Sequence, residues 1–236
     1  MKIPLLPETD LARIAPMPTE HKWNALEHYR ISFPPYRYLP VRKSYSDILN
    51  VQSGFLQSTP RVPFSHVREV VRIESRTAEE FQANLRVAEG LYNHAVAMSL
   101  TGRRVDFFPL NIGTGSKLVY WHSLLLAYEG KPLVPFFDPR RTATRLTELG
   151  RRFAFSTMHE RIRVADPDYA NVLLGIFQFT VPKKGPRLPI LYTDEGVALF
   201  TFDELAEMVR ETYEIWTEVY TRRAKTPPKR SGGGFL

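Results

Sequence analysis

The sequence contains no cysteine, which excludes disulfides, thiolate metal sites, iron–sulfur clusters and a cysteine nucleophile. It also lacks a long apolar run: the stretches around 118–128 and 172–179 fall well short of the roughly 20 residues needed to cross a bilayer. The opening residues, Met1-Lys2-Ile3-Pro4-Leu5-Leu6-Pro7-Glu8, interrupt with prolines and an acid the apolar stretch that an export signal requires. A cytoplasmic location with no membrane partner is therefore expected. Spaced histidine pairs of the HExxH kind and a GxSxG elbow are missing too, which removes support for zinc hydrolysis and for a serine triad.

What remains is a chain of 236 residues, 43% hydrophobic and 24% charged, long enough to bury a substantial core. Its net charge is +7, and arginine supplies 23 of the 32 basic residues. The charge is unevenly spread. Residues 139–163 carry a local balance of +5 through Arg140, Arg141, Arg145, Arg151, Arg152, Arg161 and Arg163, whereas residues 194–219 reach −7. Such poles suit a polyanion at one face and a basic partner, or the chain's own tail, at the other.

Three regions follow from composition: an extended proline-rich N-terminal arm over 1–40, with at most a short helix near 19–29; one mixed domain over 41–223; and a flexible, disordered basic tail over 224–236. Trp23, Leu26 and Tyr29 are large apolar anchors that should hold the arm against the body. Thr77 with Glu80 reads as a capping box opening a helix that runs to Gly102, and 202–223 reads as a second helix, apolar on one stripe and acidic on the other. The segment 116–128, apolar nearly all round, reads as a buried helix, and 143–163 begins helically. Strands are expected at 67–73, 105–110, 133–137, 172–180 and 188–192, with Lys183-Lys184-Gly185-Pro186 turning between the last two. This order predicts an α/β or α+β fold, a mixed sheet packed by helices.

Three candidate sites emerge. The glycine loop Gly113-Thr114-Gly115-Ser116-Lys117, placed between a strand and the expected helix, has the layout of an anion cradle at a helix N-terminus. Asp138 ends an apolar strand, so with Glu80 or Glu89 before it and Glu160 beside Arg161 or Arg163 after it, it is a candidate Mg²⁺ ligand for metal-assisted hydrolysis. That arrangement loosely resembles the PD-(D/E)xK nuclease pattern over residues 77–163, without the lysine two residues after the third acid. Asp138 and Glu160 would then be catalytic; the alternative is that Asp138 caps a turn. The third candidate is the arginine face itself. Arg140, Arg141, Arg145, Arg151 and Arg152, interleaved with Phe153, Phe155 and Tyr169, are placed to grip nucleic-acid phosphates. The leading expectation is thus a nucleic-acid-associated protein, with nuclease-like chemistry as its enzymatic version. A non-enzymatic subunit or adaptor, using the arm or the acidic helix for protein partners, is the competing one.

Overall fold

The computed structural model describes residues 3–29, 37–52, 59–112, 116–141 and 143–225. The predicted tail therefore lies outside the described residues apart from Ala224 and Lys225, which end the last helix. The first helices are α1 (Glu8–Ile14), α2 (Thr19–His28), α3 (Leu39–Lys43) and α4 (Tyr45–Ile48). The short strand β1 (Val51–Gln52) follows, then α5 (Phe64–Glu74) and α6 (Ala78–Ala97). Strands β2 (Thr101–Arg104), β3 (Leu110–Ile112), β4 (Ser116–Leu118), β5 (Leu124–Tyr128) and β6 (Lys131–Asp138) fill the middle. Helix α7 (Glu148–Met158) runs into a π-helical turn, His159–Arg163; β7 (Leu173–Phe179), β8 (Pro189–Thr193) and α8 (Phe202–Lys225) complete the order.

The main sheet is mixed, ordered β1-β2-β5-β6-β7-β8, and β3 pairs with β4 in a separate ribbon. Strands β6 and β7 are parallel, joined through α7, while β7 and β8 are antiparallel across the Lys183–Pro186 turn. Alternation along the central strands divides the core in two. Leu133, Phe137, Phe177 and Phe179 face a layer built from α3 to α6. Val134, Phe136, Leu174 and Ile176 face the other way, onto α1, α2, α7 and α8. A mixed sheet packed by helices is what the sequence predicted.

Several elements differ from expectation for identifiable reasons. Residues 67–73 form helix, not strand: Val67 and Val71 lie one turn apart and are both buried, so spacing outweighs the β-branched composition. Residues 116–128 form two strands around a loop, not a helix. Leu124 and Leu126 enter one core while Leu125 points the opposite way, a period of two that a run apolar on every side conceals. The strand expected at 105–110 does not form: residues 105–109 connect β2, ending at Arg104, to β3, starting at Leu110. Thr77 does cap α6, accepting from the Glu80 amide at 3.1 Å, but the Glu80 carboxylate turns instead to Arg76 and to the amide of Arg37.

Residues 3–29 are more helical than an extended arm, and they are joined to α8. Leu11, Leu26 and Trp216 share one core. The Trp216 indole donates to the Pro4 carbonyl at 2.8 Å, the Tyr120 hydroxyl donates to the Glu8 carbonyl at 2.5 Å, and buried Lys22 on α2 pairs with Glu211 on α8. Arg223 donates to the carbonyls of Leu26 and Tyr29, capping the end of α2.

Candidate functional site

Asp138, the candidate metal ligand, lies in a buried polar node at the end of β6. Asp138 is 1% exposed. One carboxylate oxygen accepts from Arg140 Nε at 2.7 Å; the other accepts from the Leu146 amide at 2.7 Å and from Gln178 Nε2 at 3.1 Å. Gln178, opposite Asp138 on β7, also donates to the Leu146 carbonyl at 2.8 Å. The node thus ties the 139–146 connection to the sheet, leaving Asp138 poorly placed to ligate a cation or activate water. The proposed companions are elsewhere. Glu80, in the first turn of α6 on the opposite side of the sheet, is engaged by Arg76 just before that helix, and Glu160 lies in the π-helical turn. Among the described residues, no group of three His, Asp or Glu is arranged to hold a metal. Asp138 behaves as the turn-fixing acid that the sequence offered as its alternative.

The arginine run is mostly engaged within the molecule. Arg140 binds Asp138 and lies 3.7 Å from Asp10 of α1. Arg151 lies 3.9 Å over the Tyr192 ring and Arg152 3.7 Å over the Phe200 ring, partly buried cation–π contacts that join α7 to β8 and to the approach to α8. Arg163 forms a partly buried pair with Asp194 at 2.5 Å, and Arg161 donates to the Phe108 carbonyl. Arg141 is exposed and Arg145 half-exposed. A face of parallel, solvent-directed guanidinium groups suited to a phosphate backbone is not what these residues make. The acidic stripe of α8 is likewise satisfied locally, Glu207 and Glu214 by Arg210 and Glu211 by Lys22.

The glycine loop joins β3 to β4, with Ile112 opposite Ser116, so no helix begins there and the helix N-terminus on which the anion cradle depended is missing. Gly113, Thr114 and Gly115 lie outside the described residues; Lys117 is exposed on β4. His122 sits in the loop between β4 and β5, its ring 5.0 Å from those of Tyr45 and Phe137. Burial, helped by nearby Arg42, pushes its pKa down to about 3. It is a neutral core histidine.

Geometry therefore offers a scaffold in which most of these charged residues are engaged in internal contacts. Comparison with known proteins supplies the family. A family model described as "Sliding clamp-binding bacterial toxin SocB" matches residues 9–226. The chain belongs to the SocB family. A relative from Caulobacter vibrioides (strain NA1000 / CB15N), named "DNA replication inhibitor toxin SocB", is 33% identical over 234 residues, covering 99% of this chain and 98% of its own. No solved structure matches. SocB membership overturns the expectation of a phosphate-gripping, nuclease-like protein and replaces the generic adaptor with a specific class, a toxin described by its protein partner. Composition held no trace of this. A binding toxin needs no spaced catalytic constellation, and its contact surface carries no signature that one sequence reveals. Among the described residues no helix is long and apolar enough to cross a membrane.

Proposed function

We propose that this chain is a toxin that halts DNA replication by binding the sliding clamp, acting as a stoichiometric ligand and not as a hydrolase. The observation that carries the reading is the match to the SocB family across nearly the whole folded body, together with full-length alignment to a relative named as a replication inhibitor. The site geometry supports it: Asp138 and the arginines proposed for chemistry are engaged in internal contacts, which suits a protein that works by occupying a partner's surface. A replication target places its action in the cytoplasm.

The test is biolayer interferometry with the purified sliding clamp of the source organism, alongside labelled-thymidine incorporation after induced expression. Saturable one-to-one binding together with a halt in incorporation is the expected result. A chain that arrests incorporation without binding the clamp would overturn the reading, as would clamp binding that leaves replication untouched. Asp138→Asn should still bind and inhibit in proportion to its folded fraction, because the carboxylate serves only the fold.

A further inference from the structure

The two edges of the main sheet are not alike. One ends in β1, a strand of two residues; the other ends in β8, which among the described residues pairs with β7 on one side only. Flanking bonds fix which of its groups face outward. The Thr180 amide donates to the Leu188 carbonyl at 2.9 Å and the Asp194 amide to the Leu174 carbonyl at 3.2 Å, so positions 188, 190, 192 and 194 aim their main-chain groups at β7. Pro189, Leu191 and Thr193 aim theirs the other way, where no hydrogen-bond partner meets them among the described residues.

Long edges are normally guarded by charge along their length. Pro189-Ile190-Leu191-Tyr192-Thr193 carries none. Leu188 is 54% and Ile190 36% exposed, and both lie on the face of Tyr192, whose ring packs on the core of α7 and α8. Beside Tyr192 and Thr193 is an open depression of about 410 Å³, walled by Leu149, Phe155 and Val197. Charge is gathered at the two ends of the strand instead. Lys183 and Lys184, in the turn before it, are exposed and make no ion pair among the described residues; Glu195, after it, is held only by a solvent-screened pair with Lys131.

We propose that β8 pairs antiparallel with β8 of a second copy of this chain, across a two-fold axis at Leu191, so that the main sheets of two molecules run on as one. The strand is complementary to itself in that register. Leu191 meets its own counterpart and exchanges two main-chain bonds with it, and each Thr193 amide donates to the Pro189 carbonyl opposite. Pro189 has no amide proton to give, but its carbonyl still accepts. A shift of two residues would leave an end of each strand unpaired. On the α7–α8 face Ile190 lies across from Tyr192 of the other copy, and Leu188 comes beside the depression, which takes exposed apolar surface out of water. Antiparallel order sets the lysine turn of each copy at the Glu195 end of the other, whereas a parallel copy in register would bring like charges together. This match of one strand with itself selects a second copy as the occupant, because in a two-fold contact one patch supplies both halves.

Sedimentation velocity of the full chain over about 1–200 μM gives the first readout. A monomer–dimer equilibrium with a dissociation constant on the order of 10 μM is expected, since a single edge contact is a small interface. The chain has no cysteine, so one substitution supplies one thiol. Leu191→Cys should give a disulfide-linked dimer under mild oxidation, the paired Cα atoms lying about 5.5 Å apart. Thr193→Cys should not, because four residues of register, about 13 Å, separate it from its counterpart. Ile190→Lys, at an exposed position, would meet Arg151 of the other copy over Tyr192 and should weaken the dimer at least about tenfold with its melting temperature unchanged. In the wild type, NMR amide exchange at Leu191 and Thr193 should slow as concentration rises, while Ile190 and Tyr192 are protected throughout. A chain still monomeric at the highest concentration, failure of Leu191→Cys to crosslink, a crosslink through Thr193→Cys, or an unaltered dimer in Ile190→Lys would overturn the proposal. So would Leu191 and Thr193 amides that slow only when the sliding clamp is added, which would assign this edge to the clamp. None of the expected results requires clamp binding, so this inference and the function proposed above fail separately.

Discussion

Replacing Asp138 with alanine removes the shared acceptor of three donors at once. In the wild type a 1%-exposed carboxylate accepts from Arg140, from the Leu146 amide and from Gln178, all between 2.7 and 3.1 Å. Without it the Leu146 amide loses its acceptor in a site that water does not reach freely, Gln178 keeps only the Leu146 carbonyl, and the half-buried Arg140 guanidinium keeps only the more distant Asp10 carboxylate at 3.7 Å. Breaking a buried charged pair in this way costs about 3–5 kcal/mol, the three hydrogen bonds not being additive. At about 2–4 °C per kcal/mol for a chain of this size, Tm should fall by roughly 6–20 °C. Urea and thermal unfolding followed by circular dichroism measure this directly, and Asp138→Asn, which keeps one acceptor, should lose about half as much. Alanine variants at Asp138 and Gln178 combined should be clearly less destabilised than the sum of the singles. A Tm within about 2 °C of wild type, which ordinary surface substitutions produce, would refute the structural account and return Asp138 to the list of functional acids.

Gly90→Ala should be severely destabilising, by at least about 3 kcal/mol in urea unfolding, because the added Cβ would lie 1.8 Å from the Arg187 carbonyl oxygen, a backbone atom that cannot swing aside; normal expression and unchanged Tm would contradict the close packing of α6 against the β7–β8 connection. His122 makes stability depend on pH. Its folded pKa of about 3 lies below the ordinary value of about 6.5, so the unfolded chain gains the proton first, and stability is lost as pH falls from about 6.5 toward 3. His122→Phe, set among Tyr45, Phe136 and Phe137, should flatten that part of the profile, and a variant with the wild-type slope between pH 7 and 4.5 would show that another group is responsible.

Sequence reasoning reached the central strands and the two long helices because each carries a strong period bounded by caps or turns: Thr77 before α6, and Lys183 to Pro186 between β7 and β8. It failed where composition and geometry disagree. Val67 to Ile73 is rich in β-branched residues yet winds as a helix, since only Val67 and Val71 need burial. Residues 116–128 are apolar nearly all round, so no period distinguishes a helix from strands buried on one face. The candidate site failed for a different reason. An acid at a strand end reads identically whether it faces a cation or receives three protein donors, and the donors here come from residues 140, 146 and 178, whose convergence only the folded chain reveals. Arginines over Tyr192 and Phe200 mislead in the same way, for a charge run in sequence does not say which guanidinium groups are already stacked.

The joining of both chain ends through α8 bears on how the protein is made. Pro4, Lys22 and the end of α2 find their partners at Trp216, Glu211 and Arg223, all in α8, which is synthesised long after them. While a ribosome is still translating the body, α1 can pack on α7 but α2 lacks the helix it rests on, so this part of the core stays incomplete until α8 emerges. A chain that has reached only β8 therefore exposes apolar surface of the kind that chaperones and proteases recognise, and the N-terminal helices complete their packing only once α8 has formed.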